Sequence, residues 1–350
     1  MRVLIHEHFT SGGRGAGRRA DGLVFADSRA AHEELLAAGQ GMLLPLVADV
    51  LAAGAEVTVT HAPGLAIDLP GKAHRMTGHT PSAALAAALP LVDAALVIAP
   101  EADDALAAAA LAVERAGVRN LGSSSDASRS VADKLLLSAR LAASGVATPA
   151  TAAGIGEAPR LLAAHEAIVV KPRRSAGCVD TFLCRHLAEL RRLPLRDDWI
   201  AQERVPGLTA SAAYVVTGDG VVPLRAGIQT IASIPCGSGG PMRLAYEGGR
   251  LPLDDALEAR ALAIGRAAIA QIRGLRGFVG VDVVLGADAR DDRVIEINPR
   301  LTVAYAGLRA LARFSIVELM LGRAPVEPGN RVWRSGGVRY DAAGNISTDA

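Results

Sequence analysis

The segment DRVIEINPRL, residues 292–301, carries polar side chains in a pattern that could do chemistry. Side chains of an extended strand alternate between its two faces, so Glu296 and Asn298 share one face while Ile295 and Ile297 share the other. A carboxylate and an amide placed side by side must either face water or hold a ligand. The segment therefore raises the question of what its polar face would bind.

Asp282 could supply a third oxygen-bearing side chain. It is the only charge in the apolar run VGVDVVL, and a hairpin between the two segments would bring it beside Glu296 and Asn298. Three oxygen donors on one sheet face are typical of a hard-cation site, and magnesium held this way keeps positions open for substrate phosphates. The alternative is a solvated face with Asp282 in a surface ion pair. For the three residues together, with Arg300 following, we favour the metal site.

A metal of this kind implies a phosphorylated ligand, which needs cations and backbone donors elsewhere in the chain. Lys171 ends an apolar predicted strand, just before the loop RRSAGC, residues 173–178. A lysine there is costly to bury unless it meets an anion, and small residues such as Ser175 let backbone N–H groups approach phosphate oxygens. Lys134, on the predicted helix 130–145, is a weaker candidate because most helix lysines are solvated.

The first 120 residues must form a part of the fold that helps to position this site. Strand patterns alternate with helix patterns there, which predicts an open parallel sheet whose ligands lie at the carboxyl ends of the strands. The predicted strands are 2–9, 55–62 and 94–101, and the predicted helices are 30–53 and 103–116. TSGGRGAG, residues 10–17, follows the first strand but lacks the third glycine of a dinucleotide fingerprint, so we favour a substrate-binding or flexible loop.

From about residue 126 the pattern becomes that of antiparallel strands with helices. A Gly-Asp-Gly turn joins two alternating strands within 211–231, which predicts a hairpin. A Gly-rich segment, 236–252, is expected to be either a lid over the site or a flexible surface loop. A helix over 254–272 precedes the strand pair with the oxygen donors. The tail, 326–350, has few apolar residues and is expected to be partly disordered.

Length and composition limit the class of protein. At 350 residues the chain exceeds a usual single-core domain, and its net charge is only +1. It has no basic tract with interleaved aromatics, which argues against nucleic acid, and we expect no apolar run of the roughly 20 residues that a membrane span needs. Three cysteines without a CxxC pattern argue against a disulfide framework or a zinc knuckle. We therefore expect a cytoplasmic protein.

Taken in order, these motifs resemble the ATP-grasp ligase superfamily over about residues 120–320. The matching pieces are Lys134 in ADK, Lys171 in VVKP, then QERVPG, VDVVL and VIEINPR. The other common phosphate-binding pattern, the P-loop, is absent: GLAIDLPGKA has Ala66 and Ala73 where Gly and Ser or Thr are required. The resemblance implies mixed α/β and α+β structure, an ATP-grasp fold that follows an amino-terminal open parallel-sheet (pre-ATP-grasp) domain.

The resemblance also implies domain boundaries and site residues. The domains are an amino-terminal α/β substrate domain (1–120), a first ATP-grasp subdomain with its linker helix (121–205), a second subdomain with the metal site (206–325), and the tail. ATP would lie between the subdomains, with its phosphates held by Lys134, Lys171 and Ser175 and its adenine by a hinge of Gln202, Glu203, Arg204 and Val205. Mg²⁺ or Mn²⁺ would be coordinated by Asp282, Glu296 and Asn298. The catalytic residues implied are Arg300 and Lys171.

The activity implied is ATP-dependent joining of a carboxylate to an amine through an acyl-phosphate, with ADP as product. HEHFTSGG (6–13) and AGQGMLLPLVADVLAAG (38–54) are similar to the tyramine-glutamate ligase family of methanofuran biosynthesis. That similarity implies that the γ-carboxyl group of glutamate is joined to tyramine or a related primary amine. If glutamate is the acid, the candidates for its α-carboxylate and α-amine are Arg300 together with Glu7, Ser11, Arg225 and Arg243. Arginine is the usual bidentate partner of a carboxylate.

Two alternatives stay open at this point. One is another ATP-grasp ligase or carboxylase that acts on an amino acid or peptide. The other is an ATP-binding module without catalysis, which predicts loss of the metal ligands, whereas all three are present. The expected partners are small-molecule acid and amine substrates, with neither nucleic acid nor a membrane, and a homodimer is left open.

Overall fold

The computed structural model describes residues 1–14, 28–324 and 332–348. Within them, the strand and helix alternation predicted for the first part is confirmed as a parallel sheet of five strands. These are β1 (Arg2–Glu7), β2 (Glu56–His61), β3 (His74–Thr77), β4 (Ala94–Ile98) and β5 (Arg119–Asn120). Helices pack on both faces of the sheet: α1 (Ser28–Ala52), α2 (Pro81–Ala88) and α3 (Ala105–Arg115).

The strand order of this sheet predicts where a ligand would bind. The order is β3-β2-β1-β4-β5, so the direction of winding reverses between β1 and β4. Glu7, the last residue of β1, is in register with Ile98, the last residue of β4. Ligands of open parallel sheets bind at the carboxyl ends of strands where the order reverses. Of the loop at residues 10–17, only Thr10–Arg14 lies within the described residues.

A second, antiparallel sheet is built by the rest of the chain. Its strand order is β13-β12-β9-β10-β11-β7-β6-β8, with β14 paired to β11 and β15 to β14. The strands are β6 (Ile168–Pro172), β7 (Phe182–Cys184), β8 (Trp199–Glu203), β9 (Leu208–Val216), β10 (Val221–Pro235), β11 (Met242–Leu251), β12 (Gly277–Leu285), β13 (Arg293–Asn298), β14 (Val338–Asp341) and β15 (Ile346–Thr348). The predicted hairpin is confirmed as β9 and β10.

Seven helices accompany this sheet in the part of the chain that the structure describes. They are α4 (Ser125–Ala132), α5 (Lys134–Ala143), α6 (Ala158–Ala164), α7 (Leu187–Leu190), α8 (Asp255–Ile269), α9 (Ala304–Leu311) and α10 (Ile316–Met320). The helix predicted over 254–272 is confirmed as α8, which packs on β9, β12 and β13. Helices α6 and α7 cover the smaller part of the sheet, β6 to β8.

The helix predicted over 130–145 is broken at Asp133. The backbone of Asp133 is extended (φ −86°, ψ 98°), and its carboxylate accepts hydrogen bonds from the N–H groups of Leu135 and Leu136. An aspartate in this role ends one helix and begins the next, because it satisfies donors that have no partner inside the helix. Lys134 is therefore the first residue of α5, at a fixed helix terminus.

Strands β12 and β13 form the predicted pair, with one irregularity. Asp282 is directly opposite Glu296, but the next residue, Val283, is opposite Val294. Ile295 is thus an extra residue on β13, which is a β-bulge. A bulge changes the direction in which neighbouring side chains point, so strict alternation no longer holds along β13.

The bulge decides which side chains of β13 are buried in the core. Val294 and Ile297 pack in the core beneath α8. Ile295 instead lies with Glu296 and Asn298 on the wall of a cavity. The prediction that Ile295 shares the buried face with Ile297 is therefore wrong, whereas the shared face of Glu296 and Asn298 is found.

Two other sequence-based expectations need correction. Most of the Gly-rich segment expected to be a lid or a loop, 236–252, is strand β11, which pairs with β10, β7 and β14. In the tail, residues 326–331 and 349–350 lie outside the described residues. The described part, 332–348, forms β14 and β15, and its Tyr340 is buried. Pairing with a neighbouring strand orders both segments despite their glycines and low hydrophobicity.

Helix α1 also departs from expectation. Residues Ala31–Ala52 are long and apolar enough, by length and composition, to cross a membrane, so the expectation that no such run exists is wrong. In the structure the helix packs on β1 and β2, where Leu43, Leu46 and Val47 are fully buried. Its carboxyl half is therefore apolar because it forms the core between the parallel sheet and α9.

Candidate active site

A cavity of about 550 Å³ lies between the carboxyl ends of β1 and β4 and the antiparallel sheet. This volume is within the range of pockets that hold small-molecule ligands. The structure brings most of the predicted site residues together on its wall: Glu7, Lys134, Lys171, Ser175, Gln202, Glu203, Arg204, Val205, Asp282, Glu296, Asn298 and Arg300.

The oxygen donors predicted for a metal form one cluster. Asp282 and Glu296 are opposite each other on β12 and β13. Asn298 Nδ2 donates to Asp282 Oδ2 (3.0 Å), and Gln229 Nε2 donates to Asp282 Oδ1 (2.9 Å). Because the amide nitrogen of Asn298 is used in this way, its Oδ1 is left for a cation. Burial, followed by the charge of Glu296, raises the pKa of Asp282 to about 7.

This donor set suits a hard divalent cation. Among the described residues there is no group of three His, Cys, Asp or Glu side chains that could hold a metal. A cation here would therefore be held by two carboxylates and one amide oxygen, and ligands such as phosphate would complete its coordination. Oxygen donors without nitrogen or sulfur are what Mg²⁺ and Mn²⁺ prefer.

Two lysines place positive charge beside this cluster. Lys134 Nζ lies 3.4 Å from Glu296 Oε2. Burial lowers the pKa of Lys171 to about 8, although the charge of Glu296 opposes the shift. Burial by itself raises the pKa of Glu296, but the charges of Lys134 and Lys171 outweigh it and hold the pKa below its ordinary value. Buried cations with so little counter-charge are suited to binding an anionic ligand.

The small-residue loop 173–178 is held against the start of α5. Arg173 forms an ion pair with Asp133, and Lys134 Nζ donates to the backbone oxygen of Ser175 (2.7 Å). Gly177 and Cys178 have positive φ angles of 64° and 59°. This conformation favours glycine and turns the backbone sharply. The loop therefore places the backbone of several consecutive residues close to Lys171 at the cavity.

The predicted adenine hinge lies at the end of β8. Gln202 Nε2 donates to Thr151 Oγ1 (3.0 Å), and the Glu203 carboxylate lies 3.2 Å from His165 Nδ1. The N–H groups of Glu203 and Arg204 donate to backbone oxygens of Ala150 and Ala167. Val205 follows these two bonded residues and lines the cavity. Its backbone is therefore the part of the hinge best placed to bind the edge of an adenine ring.

Arg300 connects the two sheets at the cavity. Its guanidinium group forms two hydrogen bonds with the carboxylate of Glu101, at 2.9 and 3.0 Å, and the side chains of Arg300 and Glu101 are only 11% and 5% exposed. Glu101 follows β4 of the parallel sheet, whereas Arg300 follows β13 of the antiparallel sheet. A paired and buried guanidinium keeps a fixed position, which suits a group that must meet charge developing on a ligand.

Besides Arg300, four residues are predicted to bind the acid substrate, and three of these four do not line the cavity. Ser11 Oγ bonds with Thr60. Arg225 forms an ion pair with Glu258 (2.8 Å) on α8. Arg243 is on β11, where its neighbour Leu244 faces the cavity. Alternation along the strand turns Arg243 away. The structure therefore does not bring these three residues to the cavity, and their contacts lie elsewhere in the fold.

Glu7 is the fourth of these residues, and it does line the cavity. Its side chain is 1% exposed, and Oε2 accepts a hydrogen bond from the backbone N–H of Thr10 (2.7 Å). Burial raises the pKa of Glu7 to about 7, although the hydrogen bonds from Thr10 and Phe9 and the charge of Arg300 lower it. Glu7 is thus a buried carboxylate beside the site.

Sequence reasoning missed several residues of the site. Gln229 holds Asp282, Glu101 holds Arg300, and Tyr246 and Tyr340 share a hydrogen bond on the cavity wall. Glu101 could have been found, because it is the last residue of the predicted strand 94–101, at an end of the parallel sheet where ligands bind. The tyrosines carry no such signal, since the pairing of β14 with β11 brings them together.

Two family models match the chain. One is described as an ATP-grasp domain and matches residues 131–304, and the other is described as a pre ATP-grasp 3 domain and matches residues 56–127. The first range contains both lysines and the three oxygen donors, and the second lies in the parallel sheet. The division of the matches therefore follows the two sheets of the structure.

One curated relative, tyramine–L-glutamate ligase of Methanocaldococcus jannaschii, is 28% identical over 233 residues. The match covers 67% of this chain and 63% of the relative, so the chain spans less than two thirds of the relative's length.

Two solved structures share the fold. An ATP-grasp superfamily protein from Archaeoglobus fulgidus has a TM-score of 0.67 and 24% identity, covering 97% of this chain and 92% of that chain. L-amino acid ligase from Bacillus licheniformis has a TM-score of 0.63 and 14% identity, covering 92% and 73%. These likenesses confirm the predicted fold.

Proposed function

Because the chain belongs to the ATP-grasp superfamily, we propose that it is an ATP-dependent ligase that joins a carboxylate to an amine through an acyl-phosphate and releases ADP. The observation that carries this proposal is the cavity in which Asp282 and Glu296 lie beside Lys134 and Lys171. The two carboxylates can bind a metal ion, and the two buried lysines can bind phosphate groups, so together they suit a metal-bound polyphosphate. The ligase name of the curated relative supports the same activity.

Each part of the cavity has a proposed role toward ATP. Lys134, Lys171 and the loop at Ser175 bind the phosphates, and the hinge from Gln202 to Val205 receives the adenine. Asp282, Glu296 and Asn298 hold Mg²⁺, and Mn²⁺ fits the same oxygen donors. When bound, the metal neutralises charge on the phosphates during transfer.

The chain's own residues position the reacting groups. Arg300, fixed by Glu101, is close enough to the metal cluster for Asp282 and Glu296 to affect its pKa. We assign to Arg300 the role of binding the phosphate while it is transferred from ATP, and then the acyl-phosphate that results. A carboxylate is unreactive toward an amine because its leaving oxygen is poor; phosphorylation supplies a better leaving group. Burial of the site protects the acyl-phosphate from water.

The proposed substrates are the γ-carboxyl group of glutamate and tyramine or a related primary amine, in a methanofuran-type cofactor pathway. Support comes from the name of the curated relative and from the match at modest identity. The proposed setting is the cytoplasm, where both kinds of small molecule and ATP are at hand.

An ADP-release screen tests the proposal. Glutamate, aspartate and short glutamyl chains are crossed against tyramine and other primary amines, with Mg²⁺ and ATP, and products are identified by mass. We expect ADP and an amide in equal amounts for at least one pair. Tight ATP binding with no ADP from any pair would favour a non-catalytic module, and ADP with a carboxylated product would favour a carboxylase.

A further inference from the structure

The two oxygens of the Glu7 carboxylate differ in their hydrogen bonding. Oε2 accepts from the Thr10 N–H, but Oε1 is buried with no hydrogen-bond partner among the described residues. A buried acceptor without a partner destabilises the folded protein and calls for an explanation such as a ligand or a catalytic role. Because Glu7 also lies on the cavity wall, a ligand that donates a proton would satisfy it.

Helix α1 lines the cavity beside Glu7 mainly with apolar side chains. Helix α1 passes so close that a Cβ added to Gly39 would lie 2.6 Å from Glu7 Oε2. On the same helix the cavity is lined by the exposed Glu34 and by four apolar residues, Ala31, Leu35, Ala38 and Met42, which we call the α1 stripe. Their spacing of three or four residues places them on one helix face. The stripe extends from Glu7 along the cavity, and none of its members can hold a charge.

The surroundings indicate which ligand group Glu7 receives. The α-ammonium group of an amino acid is one carbon away from a carboxylate, which would need a cation beside Glu7. The cation whose charge reaches Glu7 is Arg300, which is paired with Glu101 and which the proposed function already assigns to the transferring phosphate. An ammonium group on an apolar body fits better. The α1 stripe offers apolar contact, and it has no cation that could pair with a ligand carboxylate.

We propose that Glu7 binds the ammonium group of the acceptor amine and takes its proton, and that the α1 stripe contacts the apolar body of that amine. This inference rests on the proposed ligase function and names the amine's class: a primary amine on an apolar or aromatic body. Such an amine is protonated at neutral pH, since alkyl ammonium groups have pKa values near 10. It cannot attack until it loses a proton.

The proton balance of the step is complete. The ammonium gives one proton to the Glu7 carboxylate and becomes a neutral amine. Its lone pair attacks the acyl-phosphate carbonyl carbon; the new C–N bond forms, and the C–O bond to phosphate breaks with its electron pair on the phosphate. The second proton of the nitrogen leaves with the phosphate. Glu7 then returns its proton to water before the next turnover.

Hydroxylamine separates this role from activation of the acid. It is uncharged at neutral pH and small, so it traps an acyl-phosphate as a hydroxamate without needing Glu7 or the stripe. For Glu7→Gln we expect kcat/KM for tyramine or phenethylamine to fall about 10²–10⁴-fold, the usual contribution of a general base. Hydroxamate formation in the same variant should fall far less, and KM for the acid should change little.

Each outcome of this experiment decides something. No hydroxamate from the unaltered protein with any acid would defeat the proposed function itself. Hydroxamate from the unaltered protein, with equal losses for both nucleophiles in Glu7→Gln, would overturn only the role of Glu7 in amine activation, and so would full activity of that variant with amines. Glu56→Gln, an exposed glutamate at the start of β2, is the matched control and should behave as the unaltered protein.

Stability shows whether Glu7→Gln stays folded. The pKa of Glu7 is raised in the folded protein, so its ionisation costs stability as pH rises from the unfolded value toward about 7. At pH 8 the variant lacks this cost and should melt no lower than the unaltered protein. Its pH profile of kcat/KM for the amine should also lack the loss of rate, below about pH 7, that protonation of Glu7 causes in the unaltered protein.

The stripe is tested by a second variant. Leu35→Ser should lower the preference for phenethylamine over methylamine by about tenfold or more, because an apolar pocket discriminates by that much for a small change in contact. Leu36→Ser, on the same helix but outside the cavity lining, is the control. Equal preference in both variants and the unaltered protein would show that the amine's body binds elsewhere.

Discussion

The charges around Glu296 belong to one interacting group. The charges of Lys134 and Lys171 outweigh burial and lower the pKa of Glu296, while burial, followed by the charge of Glu296, raises the pKa of Asp282. Two amides, from Gln229 and Asn298, occupy the oxygens of Asp282. Metal-bound ATP would supply the cation that the two carboxylates need and the anion that the two lysines need. Removing any single member leaves a buried charge without compensation.

Glu296→Gln tests this interdependence. We expect ADP production to fall by at least about 10³-fold, since the change removes a metal ligand and leaves the two lysines with less counter-charge. The variant should remain folded, because the amide has the same shape, and circular dichroism and thermal melting check this. Glu247→Gln, at an exposed glutamate on β11, is the control. Normal turnover in Glu296→Gln would refute the metal assignment.

At the scale of elements, the bulge in β13 organises the site. Without it, alternation from Val294 would place Glu296 in the core and Ile295 on the cavity wall. The extra residue lets Val294 and Ile297 both face the core while Ile295, Glu296 and Asn298 face the cavity. Bulges beside active sites commonly redirect side chains in this way.

The two isoleucines of β13 provide a matched test. Ile297→Ala should lower the free energy of unfolding by about 2–5 kcal/mol, as expected for a fully packed core isoleucine. Ile295→Ala should cost distinctly less and should instead raise KM for ATP, since Ile295 contacts the cavity. Denaturant unfolding and initial-rate kinetics measure both. Equal loss of stability in the two variants would mean that Ile295 is buried in the core.

At the scale of the whole molecule, the site exists because two sheets meet. The Arg300–Glu101 pair joins them at the cavity, and Asp49 of α1 accepts hydrogen bonds from Tyr305 and Arg309 of α9. Arg174 of the small-residue loop pairs with Asp104, which precedes α3. A ligand that contacts both sheets should therefore stabilise the molecule as a unit.

Ligand-induced stabilisation tests this expectation. With Mg²⁺ and ATP at about 100 times the dissociation constant, the free energy of unfolding should rise by about 2.7 kcal/mol, measured as an increase in melting temperature. EDTA should remove most of the increase, since the metal links the carboxylates to the phosphates. Glu296→Gln should show a smaller increase than the unaltered protein. An increase that is unaffected by EDTA would contradict a metal-bridged site.

The sequence by itself determined the local features of this protein. Periodicity and turn residues predicted the parallel sheet, the β9–β10 hairpin and α8, and the order of Lys134, Lys171, Asp282 and Glu296 indicated the ATP-grasp fold. These features depend on neighbouring residues or on motif order, which a sequence contains. The roles of the site residues and the domain boundaries stay predictions.

Only the tertiary structure decided the rest. It turned Ile295 to the cavity, ordered β11 and β14 by pairing, and used Arg225 and Arg243 outside the cavity. It also buried Glu7 with its Oε1 lacking a hydrogen-bond partner in the part of the chain that the structure describes. The physical reason is that register, burial and ion-pair partners depend on contacts between residues far apart in the chain. The same composition and alternation are compatible with several such sets of contacts.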